Sequence, residues 1–423
     1  MRTFCSLKGL LLLPALLAPL PLSAQVPENQ AVRAQYREVI LGTVRENAAA
    51  PAALVVQDPG PRVQFRTEAV NGFLYSLFLN EESSGFPIDG GGSWVIKRDA
   101  ADGAFLQAKV FYRSDPGCFL RLLPAGGRTL LEVFLFGIAV DRGVQVPVAF
   151  RSLLTAPLTR VVELTRPTVR WELLLTAGQP VEELERTLSR LRAGLGALRA
   201  LGEAEDGAMD EQGRTVRIAD LSAQPGGLNC SGFAKWVVDG YYGPLTGRLL
   251  AIPELKQRHP ELRGNRWSQR FEEARDPYFG LDWSRNLAAA LARARGEPGE
   301  GWEAWDVRRL AYLDYREDVG FPVEELPAAL FLASLKEPGS FFIGSFNREY
   351  GREPVLRQHY HLAVFFPYFT GSGDFRTAVF DLGRETTVAD VRKRFAGHHV
   401  HLVRLGARGE WGTPRPWTAE VSQ

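Results

Sequence analysis

The chain has 423 residues, of which 45% are hydrophobic and 23% are charged, and these proportions exclude a largely disordered chain, a coiled-coil rod and a collagen-like polymer. Its 50 Lys and Arg residues balance 49 Asp and Glu residues, so the net charge of +1 gives no general attraction to nucleic acid or to an anionic membrane. Three cysteines are too few for a disulfide scaffold or a cysteine-rich zinc array. At roughly 150 residues per domain, the length predicts two to three domains.

The first 24 residues have the pattern of a secretory signal peptide. Arg2 and Lys8 precede an apolar run from Gly9 to Leu20, and the residues that follow predict cleavage after Ala24. An apolar run of about 12 residues is shorter than the roughly 20 that a transmembrane helix needs, and no cysteine follows it at a lipidation position. We therefore expect an exported protein, in the periplasm, in the cell envelope or outside the cell, with no integral membrane segment after cleavage.

Residues 25–178 are predicted to form a mainly antiparallel β domain, either a sandwich or a barrel. A helical pattern at Ala31–Asn47 comes first. The segments that follow are rich in β-branched and aromatic residues, and turn clusters at 115–117, 125–127 and 141–143 separate them. The predicted strands are Trp94–Ile96, Ala104–Tyr112, Leu130–Val140, Val144–Phe150 and Thr168–Leu175. No feature of this domain indicates its function.

Leucines at a spacing of three and four residues predict a linking helix at 179–205. The apolar face is short, so we expect it to pack on its own chain, although a dimerising coil has the same pattern. The leucines are Leu184, Leu188, Leu191, Leu195 and Leu198. An acidic segment at 202–213 follows and is expected to be a flexible boundary before a C-terminal domain at 206–423.

The segment around Cys230 has the strongest chemical signal in the chain. Apolar residues at 233–234 and 237–238 follow the cysteine at the spacing of one helix face, which places Cys230 in the first turn of a buried helix. Unpaired amides and the positive end of the helix dipole lower the pKa of a thiol there and can bind a developing oxyanion. Two alternatives stay open: an inert buried thiol, and a disulfide with Cys118, the other cysteine left after signal cleavage.

A predicted hairpin downstream supplies a histidine and a carboxylate. His359–Phe366 is typical of a buried strand and Phe375–Asp381 of its return strand, with a glycine-containing loop at 369–373 between them. The symmetric register of this hairpin places His361 opposite Asp381, with β-carbons about 5 Å apart, whereas a register shifted by two residues would place another residue there. Cysteine, histidine and an orienting carboxylate are the usual set for an activated thiol nucleophile.

These residues resemble the motifs of the NlpC/P60 cysteine peptidases, a papain-like family. The family's Asp-Cys-Ser-Gly-Phe motif is similar to residues 229–233, and its His-Val-Gly-Ile-Tyr strand is similar to residues 361–365. The resemblance implies a C-terminal papain-like domain in an α+β protein, with Cys230 as nucleophile, His361 as base and Asp381 as the third polar residue. It also implies hydrolysis of peptide or amide bonds in bacterial cell-wall peptidoglycan, without a cofactor.

The chain departs from the family at several points. Asn229 stands where the family has aspartate, no tyrosine lies at 218–228, and the histidine follows the cysteine at a greater distance. The added length, at about 244–338, is predicted to be a helical insertion. Its periodic runs are Ser284–Arg295, Trp305–Leu313 and Val323–Leu335. The same departures would be found in a non-catalytic envelope-binding protein on a diverged peptidase fold.

Five of the six histidines lie close together in the sequence, which suggests a zinc or other transition-metal site as a further alternative. His359 and His361 would share one face of a regular strand. His399 and His401 would share a face of another strand, with His398 beside them. No Asp or Glu lies at a typical third-ligand spacing, so a histidine-rich metal-binding protein remains the alternative to a cysteine hydrolase.

Overall fold

Eight antiparallel strands, each paired with its neighbours in sequence, form a single sheet in the N-terminal half of the chain. The computed structural model describes residues 26–415 except 177, 224–225, 260–275, 300 and 351–355, so the predicted signal peptide lies outside the described residues. The strands are β1 (Ala53–Val55), β2 (Val63–Val70), β3 (Phe73–Asn80), β4 (Trp94–Asp99), β5 (Phe105–Phe111), β6 (Phe119–Ala125), β7 (Arg128–Leu135) and β8 (Ile138–Val146). The predicted antiparallel N-terminal sheet is confirmed.

Five short helices pack on one face of this sheet: α1 (Gln30–Gln35), α2 (Arg37–Leu41), α3 (Val44–Ala49), α4 (Phe150–Leu153) and α5 (Leu158–Thr165). Side chains alternate along the strands, so Trp94 and Ile96 are buried while Val95 is only partly buried. Tyr36 packs on Phe65 with ring centroids 4.2 Å apart. In the described chain β1 and β8 are not paired with each other, so the expected sandwich or barrel is instead one sheet covered by helices.

The β7–β8 hairpin corrects two predictions. Phe136 and Gly137 have positive φ angles of 49° and 87° and reverse the chain inside the predicted strand Leu130–Val140. The turn predicted at 141–143 instead lies within β8, where the register with β7 shifts. Val144–Phe150 is accordingly the end of β8 and the start of α4. Glycine is found in β-bulges as well as in turns, so the glycine at 143 predicts the turn of the hairpin although it lies inside a strand.

The predicted strand at Thr168–Leu175 is also wrong. Backbone bonds there reach back three or four residues, as from the Val169 amide to the Thr165 carbonyl, and end in a 3-10 turn at Trp171–Leu173. The Trp171 indole donates to the Thr165 hydroxyl at 3.1 Å, which holds the segment against the end of α5. β-Branched residues favour a strand only where a neighbouring strand can pair with them.

The predicted linking helix is present as α6 (Glu182–Leu201), and it packs on its own chain as expected. The leucines buried in the core cluster that also contains α7 (Cys230–Thr246) are Leu188, Leu191, Leu195 and Leu198. Gly194 permits the close approach of the two helices, because a β-carbon there would lie 2.9 Å from the Trp236 ring.

The segment at 202–213, whose acidic residues predict flexibility, forms regular structure. It contains β9 (Gly207–Met209), which is buried and pairs with β10 (Thr215–Arg217). Gly232 lies so close to this strand that a β-carbon on it would be 2.1 Å from the Gly207 carbonyl oxygen. The small residues of β9 therefore pack directly on the first turn of α7.

A six-stranded antiparallel sheet forms the centre of the C-terminal half, in the order β11-β16-β12-β13-β14-β15. Its strands are β11 (Phe321–Pro322), β12 (Ser340–Tyr350), β13 (Leu356–Phe369), β14 (Phe375–Asp381), β15 (Arg384–Thr386) and β16 (His399–Gly406). The remaining described helices are α8 (Ile252–Leu255), α9 (Phe279–Ala294), α10 (Leu326–Lys336) and α11 (Val388–Arg394).

This sheet separates two helical layers. Leu362 of β13 packs in the core that contains α7 and α9, whereas the next residue, Ala363, packs in the core that contains α10. The second core continues into the N-terminal sheet, where the Phe136 ring lies 5.6 Å from that of Phe331 in α10. The chain is thus a mixed α+β protein in which α10 lies between the two sheets.

Two of the three helical runs predicted at 244–338 are confirmed. Ser284–Arg295 lies in α9 except for its last residue, and most of Val323–Leu335 lies in α10. The helix predicted at Trp305–Leu313 is wrong, because the chain forms only a 3-10 turn at Trp302–Trp305. The following backbone then bonds to β16, with the amide of residue 307 donating to the carbonyl of residue 402 at 3.0 Å.

Candidate active site

Cys230 is the first residue of α7, as the sequence predicts. The Asn229 side chain caps this helix, because its Oδ1 accepts the Gly232 amide at 2.7 Å. The backbone amide of Asn229 donates to the Gly207 carbonyl at 2.9 Å. The backbone amides of Cys230 and Ser231 lie in the first turn, where amides have no acceptor within the helix. The thiol therefore lies at the positive end of a helix that is capped and fixed to β9.

Buried polar contacts hold α7 in place. The indole of Trp283, on α9, donates to the Ser231 carbonyl at 3.0 Å. Further along α7, Lys235 and Asp239 form a fully buried ion pair at 2.6 Å, and Asp239 also accepts the Leu250 amide at 2.8 Å. These bonds fix the rotation of the helix, and with it the direction of its first turn.

The hairpin of β13 and β14 has a different register from the predicted one. Val364 pairs with Phe380, so the prediction that Asp381 lies directly opposite His361 is wrong. Pairing between the two strands stops at Val364, and the chain leaves β14 at Leu382, which has a φ of 46°. Asp381 is therefore a diagonal neighbour of His361, and a diagonal pair is within reach of long side chains.

The side chains of His361 and Asp381 meet across this opening. Nε2 of His361 lies 2.8 Å from Oδ1 of Asp381, and the two residues are only 7% and 8% exposed. Arg394, the last residue of α11, donates from Nη1 to the other carboxylate oxygen at 2.6 Å. The Phe395 ring stacks on the imidazole with centroids 5.2 Å apart. The orientation of the imidazole is thus fixed by a carboxylate at one edge and an aromatic ring on its face.

The Cys230 thiol completes the arrangement. It lies close enough to the His361 side chain, the backbone amide of Leu362 and the Ser231 side chain for each of them to lower its pKa. Because Nε2 of His361 is bonded to Asp381, Nδ1 is the ring nitrogen available to the sulfur. The structure therefore brings together Cys230, His361 and Asp381, the three site residues expected from the sequence.

The pKa values of the cysteine and the histidine shift towards an ion pair. Burial raises the pKa of the Cys230 thiol, but the hydrogen bond and positive charge of His361 outweigh it, so the pKa lies below its ordinary value. Burial lowers the pKa of His361, but hydrogen bonds with Asp381 and Cys230 outweigh it and raise the pKa to about 9. Together the two shifts favour a thiolate beside an imidazolium.

Cys118 lies in the N-terminal core, and both it and Cys230 are free thiols. Its side chain is fully buried, and the Phe136 amide donates to its sulfur at 3.4 Å. Burial raises the pKa of Cys118 to about 12. The disulfide alternative is therefore wrong, and the description of an inert buried thiol fits Cys118 rather than Cys230.

A bulge divides the first histidine pair between the two faces of the sheet. His361 pairs with Phe346 and His359 with Asn347, so the two histidines lie opposite consecutive residues of β12. Side chains of consecutive residues point to opposite faces. The expectation that His359 and His361 share a face is therefore wrong.

The buried histidines of the proposed metal set form hydrogen bonds with other groups. Nδ1 of His359 lies 3.0 Å from the Ser345 hydroxyl, and its Nε2 lies 2.9 Å from the Asp318 carbonyl. Nε2 of His401 lies 3.0 Å from the Tyr315 hydroxyl. Within the described ranges, no group of three or more His, Cys, Asp or Glu residues could hold a metal ion. That statement covers the alternative set His359, His361, His399 and His401.

Two contacts of the site were not expected from the sequence. Arg394 belongs to a basic segment at 392–394, and no local pattern connects that segment with Asp381. The contact with the Leu362 backbone amide could not be predicted either, because every residue except proline has such an amide. Both contacts depend on how strands and helices are placed in space.

Comparison with known proteins assigns no activity to this site. A family described as Domain of unknown function (DUF8515) matches residues 22–173, which include the N-terminal sheet and α1–α5 and end before Cys230. No curated protein and no solved structure matches the chain. Among the helices of the described residues, none has the length and apolar character needed to cross a membrane.

Proposed function

We propose that the protein is an exported cysteine hydrolase that cleaves peptide or amide bonds of bacterial cell-wall peptidoglycan, with Cys230, His361 and Asp381 as its catalytic residues. The observation that carries the proposal is the position of His361, which lowers the pKa of the Cys230 thiol and whose Nε2 lies 2.8 Å from the Asp381 carboxylate. A cysteine at a helix start, a histidine and a buried carboxylate are the parts of an activated thiol nucleophile.

The proposal assigns residues 206–423 to a papain-like domain with a helical insertion at about 244–338. Residues 25–178 are then the mainly β N-terminal domain, and residues 179–205 form the linking helix. Support comes from the order of the elements, since the helix that begins with the cysteine packs on an antiparallel sheet whose adjacent strands bear the histidine and the carboxylate.

In the first step, the thiolate of Cys230 attacks the carbonyl carbon of the scissile bond and forms a carbon–sulfur bond. The oxygen of the tetrahedral intermediate becomes negative, and the free amide of Cys230 at the positive end of α7 is placed to bind it. The imidazolium of His361 then gives its Nδ1 proton to the leaving nitrogen as the carbon–nitrogen bond breaks. The products are a free amine and a thioester on Cys230.

In the second step, the neutral imidazole of His361 removes a proton from water, whose oxygen attacks the thioester carbon. Collapse of the intermediate breaks the carbon–sulfur bond, releases a carboxylic acid and returns the thiolate–imidazolium pair. Asp381 keeps its hydrogen bond to Nε2 throughout, so that Nδ1 remains directed at the reacting atoms.

Two features of the sequence support cell-wall peptide as the substrate. The predicted signal peptide would bring the chain to the compartment where peptidoglycan lies. The motifs at 229–233 and 361–365 resemble those of a family that acts on this polymer. Composition gives no competing indication of a nucleic acid partner, since the net charge is +1.

Digestion of purified peptidoglycan tests the proposal directly. Wild type, Cys230→Ala and Cys118→Ala proteins are incubated with sacculi, and the released fragments are separated and identified by mass spectrometry. We expect wild type and Cys118→Ala to release the same new fragments and Cys230→Ala to release none. Cys118→Ala is the matched control because it removes the other thiol of the described chain, which lies in the core of the N-terminal sheet.

Two other outcomes would contradict the proposal. Equal fragments from wild type and Cys230→Ala would show that this thiol is not the nucleophile. If wild type releases no fragment but sediments with sacculi, the protein is a non-catalytic envelope-binding protein on the same fold.

A further inference from the structure

A cavity of about 730 Å³ lies beside the proposed catalytic residues. Leu228 and Phe233, which flank Cys230 in the sequence, form part of its wall. Leu382, the residue after Asp381, forms another part, and the C-terminal end of α6 closes it. The cavity thus touches the segments that carry both the nucleophile and the orienting carboxylate.

The charged residues at the rim of the cavity largely neutralise one another. Arg384 pairs with Glu203 at 3.3 Å, and both side chains are exposed. Glu385 pairs with Arg192 of α6 at 2.6 Å, just outside the cavity lining. Each of the two glutamates that line the cavity therefore already has an arginine partner.

Arg199 is the remaining charged residue of the lining, and it has no such partner. In the described part of the chain, no carboxylate lies within salt-bridge distance of its guanidinium. Its Nε donates to the Gly383 carbonyl at 3.4 Å, which tethers the side chain to the turn that follows Asp381. The cavity thus has apolar walls, two ion pairs at its rim and one exposed guanidinium, that of Arg199, with no carboxylate partner among the described residues.

We propose that Arg199 binds a carboxylate of the substrate, and that the cavity takes an aliphatic residue that ends in this carboxylate. The inference rests on the proposed function and adds the chemical group by which the substrate is recognised. A guanidinium binds a carboxylate through two parallel charge-assisted hydrogen bonds, and one unpaired guanidinium matches one carboxylate. The apolar carbons of the same residue would lie against Leu228, Phe233 and Leu382.

The carboxylate has two possible sources, a residue within the peptide or the peptide's C-terminus, and binding measurements distinguish them. The probe is the synthetic peptide Ala-γ-D-Glu-Lys-D-Ala in three forms: both carboxylates free, the glutamate carboxylate amidated, or the C-terminal carboxylate amidated. Affinities for full-length Cys230→Ala protein are measured by isothermal titration calorimetry, so binding is observed without turnover. We expect amidation of one carboxylate, and not of the other, to weaken binding about tenfold.

The same titrations in a second background assign the effect to Arg199. In Cys230→Ala/Arg199→Gln protein we expect all three peptides to bind with the weaker affinity, so that the preference disappears. Cys230→Ala/Arg186→Gln protein is the matched control, because it loses an exposed arginine from the other end of α6 and should keep the preference.

The inference is overturned if neither amidation weakens binding, if Arg199→Gln leaves the preference intact, or if none of the three peptides binds. Each of these results leaves the hydrolase proposal to be decided separately, by the fragments that wild-type protein releases from sacculi. Failure of the two proposals can therefore be told apart.

Discussion

The two cysteines of the described chain, Cys118 and Cys230, have opposite chemistry although both lie in well-packed surroundings. Cys118 is held in the N-terminal core with a backbone amide as its hydrogen-bond donor, and burial raises its pKa to about 12. Burial also raises the pKa of Cys230, yet this pKa is lowered overall because His361 lies beside the thiol. An imidazole held by a carboxylate, helped by the Leu362 backbone and the Ser231 side chain, thus reverses the effect of burial on this thiol.

The comparison shows why neither burial nor helix position identifies a reactive cysteine by itself. A backbone amide lowers the pKa of both thiols, Phe136 that of Cys118 and Leu362 that of Cys230, so an amide alone does not account for the difference. What distinguishes Cys230 is a charged partner whose protonated state is itself stabilised by Asp381. The following predictions test that distinction, beginning with the largest expected effect.

Alkylation of the native protein should separate the two thiols most strongly. At pH 7 we expect iodoacetamide to modify Cys230 at least about 10³-fold faster than Cys118, because only the thiolate reacts and a thiol with a raised pKa is almost entirely protonated. Time courses of peptide modification, measured by mass spectrometry, give both rates in one sample. Equal rates would remove the difference on which the comparison depends.

Replacing the imidazole should make Cys230 resemble Cys118. His361→Gln is expected to lower kcat/KM about 10³-fold, because the general acid and base is lost. The pH profile of Cys230 alkylation should also move to higher pH, since the imidazolium no longer stabilises the thiolate. His399→Gln, which changes a partly buried histidine of another strand, should leave both measurements unchanged. A profile that does not move in His361→Gln would mean that the helix terminus alone activates the thiol.

The carboxylate acts through the histidine, so its removal should have a smaller effect. Asp381→Asn keeps the size of the side chain but removes its charge, and we expect kcat to fall by less than it does when the histidine is replaced. The pKa of His361 should also fall, because the hydrogen bond to Asp381 is the largest contribution that raises it. Imidazole titration followed by NMR measures that shift directly. An unchanged pKa would contradict a role for Asp381 in orienting and charging the ring.

The pH dependence of hydrolysis should report both members of the ion pair. Above about pH 9 His361 loses the proton that it must give to the leaving nitrogen, so kcat/KM should fall about tenfold per pH unit. At low pH the rate should fall as the Cys230 thiolate is protonated, and this limb should lie below the ordinary pKa of a thiol. Rates measured from pH 4 to pH 11 test both limbs. Activity that continues to rise above pH 10 would exclude the imidazolium as the acid.

Arg394 should contribute least. Its side chain is 54% exposed, and an ion pair with an exposed arginine contributes only about 1 kcal/mol or less. Arg394→Gln should therefore lower kcat only about two- to threefold, and 0.5 M salt should have a similar effect on wild type. A loss as large as that of Asp381→Asn would show that the ion pair, rather than the carboxylate alone, holds the histidine.

Local periodicity was sufficient to predict the parts of the site that lie within one element. The apolar spacing after Cys230 predicts the helix that begins there, and the segment Phe375–Asp381 is a strand with those bounds. These features depend on a few neighbouring residues, whose side-chain pattern directly reflects the period of a helix or a strand.

Features that depend on pairing between elements were not predictable in the same way. The register of β13 and β14 is shifted by two residues, and the bulge between His359 and His361 depends on how β13 pairs with β12. A shift by two residues preserves which face each side chain occupies, so the hydrophobic pattern contains no information against it. The contact of Arg394 with Asp381 could not be predicted for a similar reason, because it depends on how α11 packs over the sheet.

The position of α10 between the two sheets has a consequence for the unfolding of the chain. The ring of Phe331 lies 5.6 Å from Phe136 of the N-terminal half and 5.1 Å from Phe375 of the C-terminal hairpin. One aromatic cluster thus belongs to both halves, and neither half has a complete interior when the other is removed. A truncation after α5 would leave these rings in water, where exposed apolar surface favours aggregation. The half that matches a domain of unknown function is therefore a folding partner of the half that carries Cys230, and we expect the two to melt together in one cooperative transition.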